Sequence, residues 1–164
     1  MRGLLLLSVA ALGLTACNRN TAVGNDREAQ LDPAPAAAAV ESASVALENV
    51  STAIIKPETM SEADVQALGG KRGRCAVVLT EVAYPSFLYE PGRSGAIKLN
   101  GKLIPLAASG ENRFADGGLT VTLRRLEEEG NAGSQGVEMI VVPPGAKDEI
   151  GYHGYVRCPQ GHEA

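Results

Sequence analysis

Three cysteines, two histidines and one run of glutamates are the side chains in this 164-residue chain best suited to bond, ligate or catalyse. Cys17 closes an apolar run in "LGLTACNRN", with polar residues following at once. Cys75 and Cys158 stand about 80 residues apart, one opening and one closing a β-rich stretch. His153 alternates with Tyr155 and Arg157 on one face of a strand-like run, opposite Tyr152 and Val156. His162 lies in the tail "PQGHEA". A catalytic histidine needs a nucleophile to activate and a carboxylate to orient it, and no spacing in the chain specifies either. A solvated or locally bonded His153 is the plain expectation. A metal site of His153, Cys158 and His162 requires a thiolate at Cys158, which a disulfide removes. Glu127, Glu128 and Glu129 beside Gly130 read as a solvated hairpin tip. "GGKRGRC" lacks the Lys-Ser/Thr ending of a phosphate loop. The sequence thus specifies no catalytic set, no metal site and no cofactor, and the expectation is a protein that is not an enzyme.

The leader explains Cys17. Arg2 supplies a positive charge, and Leu4 to Ala16 carries none. That is the layout of a secretory signal peptide. At 13 residues the apolar run is too short to span a hydrocarbon core, which needs about 20. Leu14-Thr15-Ala16-Cys17 resembles the bacterial lipobox, in which leucine stands three before the cysteine and small residues fill the gap. The resemblance implies that a diacylglyceryl group is attached to the Cys17 sulfur, that residues 1–16 are cleaved, and that the new amine is acylated, commonly with palmitate. One acyl chain holds weakly, while two or three on one residue anchor stably. The membrane is then a partner through Cys17. Asn18, where aspartate favours inner-membrane retention in enteric lipoproteins, implies the outer membrane facing the periplasm.

Charge divides the mature chain. Residues 17–70 hold three basic and eight acidic residues, and residues 71–164 hold eleven of each. Neither region has the basic footprint of a nucleic-acid binder, and the acidic first region argues against polybasic membrane contact. Residues 17–37 are polar, then Ala/Pro-rich, with too little apolar surface to offset ordering entropy; they read as a flexible tether. Residues 38–70 read as a helical segment. Val40, Ala43, Leu47, Val50 and Ile54 form one stripe at helical spacing, ended by Lys56-Pro57. In "MSEADVQALGG", Ser61 caps a second short helix with Asp64 three residues on, and Gly69-Gly70 ends it.

From Cys75 the period changes to two. "AIKLNGKLIPL" is the clearest hairpin signal, with Asn100-Gly101 fitting a type I′ turn. In "LTVTLRRL", Leu119, Val121 and Leu123 face one way and Thr120, Thr122 and Arg124 the other. "CAVVLTEVA", "VEMIVV" and "IGYHGYVRC" complete six or seven short strands with glycine-rich turns. "YPSFLYEPG" holds Tyr84, Phe87 and Tyr89, aromatics expected to close one end of a small core. The fold class is mainly β: a small antiparallel barrel or sandwich over residues 71–159, preceded by the tether and one or two short helices, with 160–164 a disordered tail. In an oxidising compartment Cys75 and Cys158 are expected to bond. If the first and last strands are neighbours, that bond staples a barrel shut.

"LNGKLIPLAASGENRFADGGLTVTLRR" looks somewhat like the membrane-bound inhibitors of C-type lysozyme. Ser109-Gly110, Phe114 and Gly117-Gly118 loosely match that family's inhibitory loop, although its threonine-lysine-glycine motif is missing. The expected function is a lipid-anchored envelope lipoprotein acting as a non-catalytic binding or structural module. The alternative is a lysozyme-inhibitor-like protein acting through the loop around Ser109.

Overall fold

Asn100 and Gly101 both take positive φ, 48° and 67°, as a type I′ turn requires. They join two strands of a nine-stranded sheet. The elements of the computed structural model are β1 (Ala39–Val40), α1 (Ala43–Ala46), α2 (Glu62–Ala67), β2 (Cys75–Val78), β3 (Phe87–Glu90), β4 (Ser94–Leu99), β5 (Lys102–Gly110), β6 (Arg113–Asp116), β7 (Leu119–Glu129), β8 (Gln135–Val142) and β9 (Ile150–Arg157). The structure describes residues 35–79 and 84–159. The leader, Cys17, most of the tether, His162 and the tail lie outside the described residues.

β2 to β9 each pair antiparallel with the next strand, and β9 returns to pair antiparallel with β2. The eight strands form a closed up-and-down barrel. Closure leaves no free sheet edge, the usual liability of an antiparallel sheet. The first and last barrel strands are neighbours, and the expected disulfide between Cys75 and Cys158 joins the end of this closing pair.

Alternation along each strand sends one set of side chains inward. Val77, Phe87, Ile97, Leu99, Ile104, Phe114, Leu119, Val121 and Met139 are all fully buried in one cluster. An eight-stranded barrel is just wide enough for side chains to fill, and this one is filled. The rings of Phe87, Tyr89 and Phe114 meet at centroid distances of 5.2–5.6 Å. Phe87 and Tyr89 therefore belong to the core, whereas Tyr84 is exposed with the Lys71 ammonium 5.4 Å from its ring.

A second cluster lies outside the barrel. Met60 and Val65 of the α2 segment cover Leu88 of β3 and Leu103 of β5. Ser61 and Asp64 form a reciprocal capping box at the start of α2. Asp64 also accepts from Ala38 N–H at 2.7 Å and pairs with Lys98 Nζ of β4 at 2.7 Å. One buried carboxylate thus joins the incoming chain, the helix and the barrel wall. Burial raises the Asp64 pKa, but the donors Lys98, Ala38 and Ser61 outweigh it and hold the value at about 2.

The continuous helix expected from the Val40–Ile54 stripe does not form. Val40 instead pairs in parallel with Leu103, α1 is a single turn, and Asn49 takes φ 58°. A further single 3-10 turn covers Thr52–Ile54, where Ile54 is exposed. The reason is tertiary. Glu41 N–H bonds Leu103 O at 3.0 Å, and Ala43 N–H bonds Asp116 Oδ2 at 2.6 Å. The segment passes where β5 and β6 part, and buried Ala43, Ala46 and Leu47 join the barrel core. Those contacts outweigh a weak helical propensity.

Candidate functional site

With the interior filled, a concavity among the described residues lies on the outer wall. It is a cleft of about 660 Å³ beside the β2–β9 seam, within the usual range for small-ligand sites. Its floor is Gly154 with Val78 and Leu79. Gly154 has no side chain because a Cβ there would come within 2.5 Å of the Val78 carbonyl oxygen. The outward residues of β9 (His153, Tyr155 and Arg157) line one side, as their alternation implied.

The other side is the tip of the β7–β8 hairpin. β7 runs to Glu129, and its register with β8 shifts between Arg125 and Glu129. A bulge of this kind bends the ribbon and increases its twist. Gln135 Nε2 donates to Glu128 O at 3.2 Å, tying the bent end together. Gly130 N–H bonds Ser134 O at 2.8 Å, and Ser134 Oγ donates to Asn131 O at 2.8 Å. Gly130 abuts Tyr155 so closely that a Cβ would sit 2.5 Å from the ring. Glu128, Glu129 and Asn131 therefore face Tyr155 and Arg157 across the cleft. Two of the three glutamates expected at a solvated tip line this concavity.

A charged row crosses the wall beside it. Arg124, Glu138 and His153 are direct cross-strand partners on β7, β8 and β9. Arg124 lies 3.0 Å from Glu138, and His153 Nε2 lies 4.0 Å from the same carboxylate. Glu138 Oε1 occupies the space a side chain at Gly151 would need. His153 is thus largely exposed and attached to a carboxylate at long range. Ser134, the aliphatic hydroxyl among the cleft's lining residues, is already committed to Asn131 O. Among the described residues no three His, Cys, Asp or Glu side chains are grouped to hold a metal.

Residues 13–161 match the family described as Domain of unknown function (DUF6692). The chain belongs to the DUF6692 family. No curated protein and no solved structure matches it. The DUF6692 span takes in Cys17, the Cys75–Cys158 pair and the whole cleft.

The other sequence candidates fall elsewhere on the DUF6692 barrel. Ser109 and Gly110 are exposed at the end of β5, beside a register shift between Ala108 and Gly110. Phe114, the aromatic of the loose inhibitor-like match, is wholly buried against Phe87 and Tyr89. Tyr155 lies on the strand face that its alternation implies, but nothing in the sequence places the cleft. The signal available was the overlong, glutamate-rich end of β7 facing a Gly-Asn turn; its folding back depends on a register shift that no local pattern states.

Proposed function

We propose that this chain is a lipid-anchored protein of the bacterial cell envelope, tethered through Cys17, and that its barrel is a non-catalytic binding module. The observation that carries the binding reading is the filled barrel with a cleft built on its outside, where β9 faces the folded-back hairpin tip. The cleft groups are suited to holding a ligand: an open ring, carboxylates, an amide and a guanidinium converge on one space. The Cys75–Cys158 bond supports an oxidising compartment, and the lipobox-like Leu14-Thr15-Ala16-Cys17 supports acylation. Asn18 favours the outer membrane, facing the periplasm. No helix among the described residues is long and apolar enough to cross a membrane.

Growth with radiolabelled palmitate tests the anchor. The wild-type chain is expected to carry label and to sediment with membranes, and Cys17→Ser to do neither. Unlabelled, soluble wild-type protein overturns the anchor. A lysozyme-inhibitor reading rests on the exposed Ser109-Gly110 alone, since Phe114 is in the core. Protection of cells or substrate from added lysozyme that is lost in Ser109→Trp favours that second reading; no protection ends it.

A further inference from the structure

We infer that the cleft between β9 and the β7–β8 tip is a site for an uncharged saccharide, stacked on the ring of Tyr155. The inference deepens the binding-module reading and rests on it.

Tyr155 is 40% exposed, in the middle of a strand paired on both sides: with Val78 of β2 and with Gly136 of β8. Its backbone is therefore fixed. Its ring is braced by Gly130, where any side chain would collide with Cδ1 and Cε1. A rigid aromatic platform costs little ordering entropy on binding. Its face carries the negative side of the ring quadrupole, which attracts the weakly positive C–H face of a pyranose.

The rim decides the class of ligand. Glu128 and Glu129 supply acceptors, Arg157 supplies donors, and Asn131 supplies both. An anion such as phosphate would meet two carboxylates. A polycation would meet the Arg157 guanidinium. A neutral polyol satisfies both kinds of rim group, because each hydroxyl donates and accepts. Hydrogen bonds to charged partners are the stronger kind, and none of these rim side chains is ion-paired with another. Glu138, the carboxylate nearest His153, is by contrast engaged with Arg124 at 3.0 Å.

Saturation-transfer NMR on the full chain in a sugar-free zwitterionic detergent tests this. The probes are a soluble, uncharged oligomer of one N-acetylated amino sugar, maltotriose, inorganic phosphate and oligolysine. The expected result is transfer to ring C–H protons of a saccharide probe; which of the two sugars responds separates an amino-sugar polymer from a plain hexose source. Tyr155→Ala is expected to weaken binding at least tenfold, Tyr155→Phe to retain it, and Asn131→Ala to weaken it severalfold without altering the thermal midpoint. Tyr84→Ala, at another exposed ring, is expected to change nothing. No transfer to either sugar, or undiminished binding by Tyr155→Ala, overturns the saccharide site. Binding of phosphate or oligolysine that Tyr155→Ala abolishes also overturns it, while leaving the binding-module reading standing.

Discussion

The ring of Phe87 occupies the space where a side chain at Gly95 would be. The two residues lie on adjacent strands, and Phe114 packs edge-on against the same ring 5.2 Å away. A glycine in a strand interior weakens the strand. Here it makes room for the Phe87 ring inside the barrel.

Gly95→Ala should therefore destabilise the barrel, although alanine has the better strand propensity. Overpacking of a filled core costs about 1–3 kcal/mol. Urea unfolding should show a lower midpoint with an unchanged slope. An unchanged midpoint would mean that the ring moves aside freely.

Removing the disulfide should cost more. Cys75 and Cys158 are separated by 83 positions, and in the chain-entropy model a closed loop of that length contributes about 4–5 kcal/mol. The Cys75→Ala/Cys158→Ala double variant should lose stability of that order, read by urea unfolding. Hydrogen exchange should rise first at amides of the β2–β9 pair.

Acid should loosen the Asp64 junction. The folded-state pKa of Asp64 is about 2, below the ordinary 3.8. A depressed carboxylate pKa contributes stability that is complete above the unfolded value and is lost as pH falls through the folded one. The window is thus about pH 4 down to about pH 2, and the contribution is about 2 kcal/mol. Asp64→Asn should be less stable than wild type at pH 7 and should flatten that part of the pH profile. A parallel profile would remove Asp64 from this role.

Met60→Ala should act on the outer cluster alone. Met60 is 1% exposed and packs with Val65, Leu88 and Leu103. The substitution should cost about 2–5 kcal/mol. Local opening of this kind is read by hydrogen exchange: α2 amides should lose protection while β7 and β8 amides keep theirs.

How legible each part was follows from the range of the forces involved. The Asn100-Gly101 turn, the Leu119-Val121-Leu123 alternation and the Ser61/Asp64 capping box are set by neighbours in sequence, and all three appear as expected. β3 was illegible because both its faces are buried, Phe87 and Tyr89 in the barrel and Leu88 under α2. It shows no alternation. β6, four residues between turns, pairs with β5 and β7 through partners the sequence does not name. The stripe from Val40 to Ile54 is periodic, yet Val40 answers to Leu103 and Ala43 to Asp116, both more than sixty residues away. The cleft fails for the same reason: Gly130 and Tyr155 meet only after a register shift in the β7–β8 pair and the pairing of β8 with β9.

The placement of β1 has a mechanical consequence. Two residues, Ala39 and Val40, hold it in parallel to Lys102 and Leu103 of β5, and β5 stands four strands from β9 in the closed order. Tension entering through the amino-terminal side is borne first by that short pair and by the Ala38–Asp64 bond. The chain can peel there like a fuse, while the bridged seam and the cleft on the opposite wall stay unstrained.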